Sequence, residues 1–242
     1  MIDLHCHALP GVDDGPAQQA GALALLRAAA AGGTRTVVAT PHVSPRYRTS
    51  PETIDAGVAG MRAALAAERV ELELLGGAEV AMELALELPD AVLRQLTLGD
   101  SSCLLLESPL APAVGPVFER CVAELQQRGY RILLAHPERA PAFLSRPQRL
   151  QALVEGGALC SITASSLDGR FGAAARWYAL ELLRDGLVHS VDSDAHDAIG
   201  RPPGLTAGLT AAAETLPPLR ERAAWLTTGA PAALLADAPL PG

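Results

Sequence analysis

The sequence predicts an α/β fold in which parallel strands alternate with helices and form a closed or nearly closed barrel. Short segments rich in Val, Ile and Leu recur at intervals of roughly 30 residues, and Ala/Leu-rich helical segments separate most of them. Several of the helical segments end in Gly, which commonly terminates a helix. Seven such units are visible, one fewer than in the eightfold barrel.

Each strand is predicted from a short aliphatic run that is followed by polar residues. The predicted strands are IDLHCH (2–7), RTVVATPH (35–42), ELELLGGAEV (71–80), CLLLES (103–108), RILLAHPER (131–139), LCSITAS (159–165) and LVHSVDSDAH (187–196). The helices between them include segments 17–33, 53–68 and 118–130. We expect a single domain over residues 1–236 and a short C-terminal tail over residues 237–242.

Composition excludes several classes of protein. With 49% hydrophobic residues in 242, the chain can bury a substantial core, yet its apolar runs are too short to span a bilayer. A net charge of −8 and the lack of a basic run argue against nucleic-acid binding. The four cysteines are widely spaced, and the N-terminus lacks the pattern of a secretory signal. We therefore expect a cytoplasmic protein that is not embedded in a membrane.

Potential metal ligands lie at the ends of six of the seven predicted strands. Because the carboxyl ends of parallel strands meet at one face, we expect these side chains to converge. Imidazoles and carboxylates together suit Zn²⁺, Mn²⁺ or Fe²⁺, and about nine ligands are too many for one ion, so two or three ions are predicted. The candidates are His5, His7, His42, Glu79, Glu107, His136, Asp194 and His196, with Asp13 and Asp14 in the loop after the first strand.

Each motif also has a simpler explanation when it is taken alone. The DDGP stretch is typical of a turn or a helix cap, and His42 ends a strand that runs into a loop. We interpret Glu138 as a solvated charge and His189 as a structural histidine outside the site. Glu79 and Glu107 are more informative, because each follows an apolar run where an ionised carboxylate needs a partner.

The ordered motifs HxH, DDG, TPH, GAE, HPER, TASSLDGRFG and SDAHDAIGRPP resemble the polymerase-and-histidinol-phosphatase (PHP) superfamily. More narrowly, they resemble the CpsB/CapC-type bacterial tyrosine-protein phosphatases of capsule and exopolysaccharide loci, from Ile2 to about Leu235. This resemblance implies the PHP fold, a distorted seven-stranded (βα)7 TIM-like barrel, with three divalent ions that are commonly Mn²⁺.

The resemblance also implies a role for each candidate residue. One ion would be held by His5, His7, Glu79 and Asp194. A second ion, which Glu79 would bridge to the first, would be held also by Glu107 and His136. The third ion would be held by Asp14, His42 and His196. The arginines that match the family's phosphate-binding pair are Arg139 and Arg201, and Asp14 is preferred to Asp13 as a ligand on the same grounds.

These residues favour metal-assisted hydrolysis of a phosphomonoester, in which Arg139 and Arg201 neutralise phosphate oxygens and His196 or Asp194 protonates the leaving oxygen. A thiol mechanism needs Arg six residues after the nucleophilic Cys, and none of the four cysteines has one. The resemblance implies that the substrate is phosphotyrosine on a protein, such as the tail of a membrane-associated tyrosine kinase of exopolysaccharide synthesis. The alternatives are a small-molecule phosphatase such as a histidinol-phosphate enzyme, and a non-catalytic metal-binding regulatory protein. The sequence is compatible with an oligomer.

Overall fold

The computed structural model describes residues 1–110 and 116–240, and in this part of the chain every paired strand is parallel to its neighbours. The predicted α/β class is therefore confirmed. The strands are β1 (Ile2–Cys6), β2 (Thr36–Ala39), β3 (His42–Val43), β4 (Glu73–Gly76), β5 (Glu79–Val80), β6 (Cys103–Glu107), β7 (Arg131–Ala135), β8 (Leu159–Thr163) and β9 (Ser190–Asp192).

The strands form two sheets, with the orders β1-β2-β4 and β3-β5-β6-β7-β8-β9. Two of the predicted strand segments are each divided between the sheets. The segment 35–42 is interrupted at Pro41, which has no N–H to donate to a neighbouring strand. The segment 71–80 is interrupted at Gly77, where a Cβ atom would lie only 3.0 Å from Leu98 and 3.1 Å from Val38. At both interruptions the chain passes from the three-stranded to the six-stranded sheet.

The far edges of the two sheets meet at the carboxyl ends of β1 and β9. The His7 N–H donates to the Ala195 carbonyl at 2.9 Å, and the Asp194 N–H donates to the His5 carbonyl at 2.8 Å. Below these bonds, the Asp192 carboxylate accepts from the Leu4 N–H at 2.7 Å. Backbone and side-chain hydrogen bonds therefore connect β1 to β9, and we call this contact the β1–β9 seam.

Twelve α-helices within the described residues cover the sheets or extend their loops. They are α1 (Gln19–Ala31), α2 (Pro51–Ala67), α3 (Met82–Glu87), α4 (Asp90–Leu93), α5 (Val117–Gln127), α6 (Pro141–Ser145), α7 (Pro147–Glu155), α8 (Ala164–Leu167), α9 (Ala173–Arg184), α10 (Leu205–Thr215), α11 (Leu219–Ala224) and α12 (Ala230–Leu235). The three predicted helices correspond to α1, α2 and α5. None of the described helices is both long and apolar enough to cross a membrane.

The side chains of the central strands alternate between two hydrophobic clusters. In β6, Leu104 and Leu106 belong to the large cluster that the helices cover, whereas Cys103 and Leu105 belong to a smaller one. The smaller cluster joins side chains from both sheets, among them Leu4 of β1 and Leu133 of β7. It fills the space between the sheets, and the polar strand ends lie beyond it.

The end of the chain is attached to the opposite ends of the strands. The Asp237 carboxylate accepts hydrogen bonds from Ser102, just before β6, and the Ala238 carbonyl accepts one from the Arg131 guanidinium. The predicted tail 237–242 thus begins with residues that contact the base of the sheet, and residues 241–242 of it lie outside the described range.

Candidate metal centre

The nine predicted ligands come together at one end of the two sheets, around a cleft of about 270 Å³. Each lies in a strand or in the loop that follows one. His5 lies in β1, His42 begins β3, Glu79 begins β5 and Glu107 ends β6. The other five follow β1, β7 and β9, and they are His7, Asp14, His136, Asp194 and His196.

Glu79 lies at the centre of this arrangement. Its Oε2 atom is 3.3 Å from His5 Nε2, 3.4 Å from His7 Nε2 and 3.1 Å from His42 Nδ1. Its Oε1 atom is 2.8 Å from His136 Nε2. One buried carboxylate is therefore surrounded by four imidazoles, which come from β1, the residue after it, β3 and the loop after β7.

Asp194 connects the histidines to the two arginines. Its Oδ1 atom is 3.5 Å from His5 Nε2 and 3.4 Å from His7 Nε2. Its Oδ2 atom accepts hydrogen bonds from Arg139 and, at 2.6 Å, from Arg201 Nη2. The two arginines that follow the HPER and SDAH motifs therefore lie next to each other at the cleft.

The two aspartates of the DDGP stretch have different positions. Asp14 Oδ1 lies 3.3 Å from His196 Nε2 and 3.6 Å from His42 Nε2. Asp13 instead lies 2.7 Å from His7 Nδ1 and accepts hydrogen bonds from the N–H groups of His42 and Gly15. Asp13 thus fixes the orientation of the His7 ring, a support that metal-ligating histidines commonly have, and Asp14 is the one free to contact an ion.

Four overlapping groups of side chains place their ligand atoms within 4.8 Å of one another. They are His7, Asp14, His42 and His196; His5, Glu79 and His136; His5, His7 and Asp194; and His42, Glu79 and Glu107. Each predicted ligand belongs to at least one group. The groups differ from the assignment implied by the family in three respects: Glu107 lies with His42 and Glu79 rather than with His136, His5 also lies with His136, and His7 also lies with Asp14, His42 and His196.

The donor atoms of the site fit divalent cations. Among the described residues, none forms a hydrogen bond with Glu79 Oε2 or with His196 Nε2, although both atoms are buried. A buried polar atom without a partner is costly, and a buried carboxylate is more so. Imidazole and carboxylate atoms in this mixture are typical ligands of Mn²⁺, Fe²⁺ and Zn²⁺. A bound cation would satisfy both atoms.

The carboxylates and imidazoles of the site shift one another's pKa values. Burial alone would raise the pKa of Glu79, but the neighbouring His5 and His136 outweigh it and hold the pKa well below its usual value. Burial would lower the pKa of His7, but the neighbouring carboxylates of Asp13, Asp194 and Glu79 outweigh it and raise the pKa well above the usual value. Burial and the charge of Glu79 raise the pKa of Glu107 to about 7. The buried carboxylate of Glu79 is therefore stabilised in its charged form by the imidazoles around it.

Two of the ligands have left-handed backbone conformations. His136 has a φ of 37° and Asp194 a φ of 48°, a region that few residues other than Gly adopt. The prediction that the strand 131–139 continues past residue 135 is therefore wrong, because His136 turns the chain and Pro137 starts a 3₁₀ turn over Pro137–Arg139. Such strain is commonly found at functional sites. Here the turn directs Arg139 toward the cleft.

The structure contradicts the prediction that Glu138 is a solvated charge. Its side chain is fully buried, and it accepts hydrogen bonds from the Thr163 N–H at 3.0 Å and the Ser166 hydroxyl at 2.6 Å. These bonds fasten the turn that contains Arg139 to β8 and α8. The partners lie more than 20 residues away, so the local sequence around Glu138 gave no sign of them.

Two further buried carboxylates were not predicted. Asp3 and Asp192 lie below the ligands in the β1–β9 seam, and burial together with the charge of Asp192 raises the pKa of Asp3 to about 7. Asp192 also accepts a hydrogen bond from the Ser161 hydroxyl at 2.6 Å. The one available signal was their place inside predicted strands, where a carboxylate must find a partner.

The cysteines are not suited to act as nucleophiles. In the described part of the chain all four are unpaired and buried. Burial raises the pKa of Cys6 and Cys160 well above the usual value, and that of Cys103 and Cys121 to about 12. The reactive form of cysteine is the thiolate, so these thiols are inert at neutral pH.

The fold and the site together define a class: a parallel α/β protein with a candidate metal centre at the carboxyl ends of its strands. The chain belongs to the CpsB/CapC family of capsular polysaccharide synthesis, whose sequence profile matches residues 1–217. The resemblance found in the motifs is thereby confirmed.

Named relatives of this family are similar over most of their length. The tyrosine-protein phosphatase YwqE of Bacillus subtilis is 36% identical over 198 residues, which are 81% of this chain and 78% of that protein. The putative tyrosine-protein phosphatase CapC of Staphylococcus aureus is 32% identical over 84% of this chain and 79% of its own.

Solved structures agree with this assignment. One, from work on YwqE of B. subtilis and CpsB of Streptococcus pneumoniae as metal-dependent tyrosine phosphatases, superimposes with a TM-score of 0.88 and 32% identity. The match covers 99% of this chain and 96% of that one. A β-aspartyl dipeptidase from Fervidobacterium islandicum, with a TM-score of 0.59 and 13% identity, shares the fold alone.

Proposed function

We propose that this protein is a metal-dependent phosphomonoester hydrolase that removes the phosphate from phosphotyrosine of a protein. The observation that carries the proposal is the position of Arg139 and Arg201 beside the candidate metal centre, where both guanidinium groups contact Asp194 Oδ2. Planar guanidinium groups bind phosphate oxygens in pairs. The names of relatives that are 32–36% identical support tyrosine phosphatase activity.

The centre would hold three divalent ions, which we propose to be Mn²⁺, with Fe and Zn as alternatives. One would be bound by His5, His7, Glu79 and Asp194; one by Glu79, Glu107 and His136; and one by Asp14, His42 and His196. The ligand atoms of Glu107, His42 and Glu79 lie within 4.8 Å of one another, which also allows Glu107 to join the His42 side of the cluster. When bound, such ions supply positive charge and a water molecule of lowered pKa.

The protein's own residues would bind and orient the phosphate. The ligand carboxylates Asp14, Glu79, Glu107 and Asp194 bring four negative charges, which three divalent ions more than balance. Arg139 and Arg201 would then bind the phosphate oxygens and stabilise the charge that develops on them in the transition state. Asp194 and His196 lie 3.7 Å apart and are the two candidates for giving a proton to the leaving tyrosine oxygen.

The two parallel sheets would constitute a distorted seven-unit barrel, supported by the hydrogen bonds of the β1–β9 seam. The phosphoprotein would be a tyrosine kinase of capsule or exopolysaccharide synthesis, supported by the family's role in capsular polysaccharide synthesis. A cytoplasmic location is supported by four unpaired, buried thiols.

The test compares substrates on protein that has been loaded with a single metal. Purified protein is stripped with chelator, reloaded with Mn²⁺, Fe²⁺ or Zn²⁺, and assayed on a phosphotyrosine peptide, the matching phosphoserine peptide and histidinol phosphate. The proposal expects metal-dependent turnover with kcat/KM at least tenfold higher on phosphotyrosine. A preference for histidinol phosphate would indicate a small-molecule phosphatase, and no turnover with any metal would indicate a regulatory metal-binding protein. Elemental analysis of the same samples gives the number of ions.

A further inference from the structure

Phe171 contacts both arginines of the cleft. The Arg139 guanidinium carbon lies over the Phe171 ring, 4.1 Å from its centroid, and that of Arg201 lies 5.7 Å from the same centroid. The two arginines come from the loops after β7 and β9, and Phe171 comes from the loop after β8. One aromatic ring therefore contacts two guanidinium groups that belong to different loops.

The loop that presents Phe171 has a defined conformation. Gly169 and Gly172 have φ values of 88° and 91°, so the chain turns in a way that favours glycine on both sides of the ring. The Arg170 N–H donates to the Ser165 carbonyl at 3.0 Å, and the Gly172 N–H donates to the Gly169 carbonyl at 2.9 Å. The ring position is thus set by the backbone of the loop.

Buried hydrogen bonds hold the Phe171 loop and the Arg139 turn together. Glu138, next to Arg139, accepts from the Thr163 N–H and the Ser166 hydroxyl, and both donors lie just before the loop. On the other side, the Asp197 carboxylate accepts from the N–H groups of Ile199, Gly200 and Arg201 and so shapes the loop that carries Arg201. The contacts between the ring and the cations follow from this framework.

The Phe171 ring counteracts the electrostatic repulsion between the two neighbouring guanidinium groups. Like charges repel, and here both groups approach a single carboxylate oxygen. The face of an aromatic ring attracts cations but accepts no conventional hydrogen bond, so the N–H groups remain available for phosphate oxygens. A carboxylate in the same place would occupy those N–H groups.

We propose that Phe171 is a positioning residue that holds the Arg139 and Arg201 guanidinium groups in place to bind a phosphate dianion. The inference rests on the proposed function, since it concerns the same cleft. It assigns to an aromatic side chain an influence on the affinity for phosphate that acts through the two arginines it contacts.

The test measures binding of inorganic phosphate alongside turnover. Phe171→Leu keeps an apolar side chain but removes the aromatic face, and Phe171→Tyr keeps the ring. Trp177→Leu, an exposed aromatic residue on α9, is the matched control. Calorimetric titration of metal-loaded protein with phosphate gives Kd, and hydrolysis of p-nitrophenyl phosphate gives KM and kcat separately.

We expect Phe171→Leu to raise the Kd for phosphate and the KM about five- to tenfold, with kcat changed less and metal content unchanged. Phe171→Tyr and Trp177→Leu should stay within twofold of the wild type. The inference is overturned if Phe171→Leu binds phosphate as the wild type does, or if Phe171→Tyr is as impaired as Phe171→Leu. A wild type that binds phosphate in the calorimeter but does not hydrolyse the ester would contradict the proposed function and leave the positioning role measurable.

Discussion

At the scale of single residues, the two arginines and the imidazoles of the cleft have separable roles. Arg139 contacts Asp194 but is a cation, so it cannot ligate a metal ion. His136 contacts Glu79 at 2.8 Å and belongs to a group of possible ligands. Substitutions at the two positions should therefore have different effects on metal content.

We expect Arg139→Ala to lower kcat/KM roughly 100- to 1000-fold, the usual cost of removing one donor to transition-state charge. Metal content should stay at the wild-type value, because no ligand is lost. Arg220→Ala, an exposed arginine on α11, is the matched control and should have nearly normal activity. Steady-state kinetics and elemental analysis on the same preparations check both points; near-normal rates for Arg139→Ala would contradict its role in phosphate binding.

His136→Ala should abolish turnover and reduce the number of bound ions. The reason is that a side chain which contacts the central carboxylate, Glu79, would be missing from the cluster. Elemental analysis after exhaustive dialysis measures the bound metal, and circular dichroism shows whether the variant is folded. A folded variant with a full complement of ions would show that His136 is not a ligand.

Residue types and spacing were sufficient to predict the convergence of nine side chains, because parallel strands bring their carboxyl ends to one face. Residue types and spacing did not predict the contacts of the residues that surround these nine side chains. Asp13 and Glu138 are polar residues outside the strands, and only their three-dimensional partners show that Glu138 is buried and that Asp13 orients His7. The residues next to Glu138 in the sequence do not indicate that its hydrogen-bond partner Thr163 lies 25 residues away.

At the scale of elements, His189 joins two neighbouring strand segments. Its N–H donates to the Cys160 carbonyl at 2.8 Å, and its ring Nδ1 accepts from the Cys160 N–H at 3.1 Å. A ring nitrogen that accepts a hydrogen bond carries no proton, so this contact requires the neutral ring. Burial accordingly lowers the pKa of His189 in the folded protein.

We expect this histidine to make the protein less stable in mild acid. Above the unfolded pKa of about 6.5 the ring is neutral in both states, and as pH falls below it the unfolded chain takes up the proton first. His189→Asn, whose Oδ1 atom can accept the same bond, should lose less stability between pH 7.5 and 5. Urea unfolding of both proteins in chelator, across that range, measures the difference. Parallel curves would show that the ring does not contribute.

The elements themselves were predictable to different degrees. The strands β6, β7 and β8 begin where they are predicted to begin, but the predicted segments 131–139 and 159–165 extend beyond the ends of β7 and β8. The predicted segments 35–42 and 71–80 are each two strands, since Pro41 and Gly77 interrupt the pairing at points where the chain changes sheet. Each interruption is only two residues long, between Ala39 and His42 and between Gly76 and Glu79, so a search for β-rich runs merges the two strands into one.

At the scale of the whole molecule, bound metal should stabilise the fold. An ion that binds the folded chain and not the unfolded one adds about 2.7 kcal/mol when its free concentration is 100 times its Kd. We expect the Tm to rise on addition of Mn²⁺ to chelator-treated wild type, and to rise less for His136→Ala. Differential scanning calorimetry measures the shift. A Tm that does not respond to Mn²⁺, Fe²⁺ or Zn²⁺ would argue against the proposed centre.

The division of the strands between two sheets has a consequence for opening motions. His5 lies in the three-stranded sheet, whereas Glu79 and Glu107 lie in the six-stranded one. A cation bound by ligands from both sheets would connect the two sheets across the β1–β9 seam, where the backbone contributes few hydrogen bonds. The amide protons of His7 and Asp194 should then exchange with solvent deuterium more slowly when the cation is bound, while amide protons in the middle of β7 should exchange at the same rate as without it.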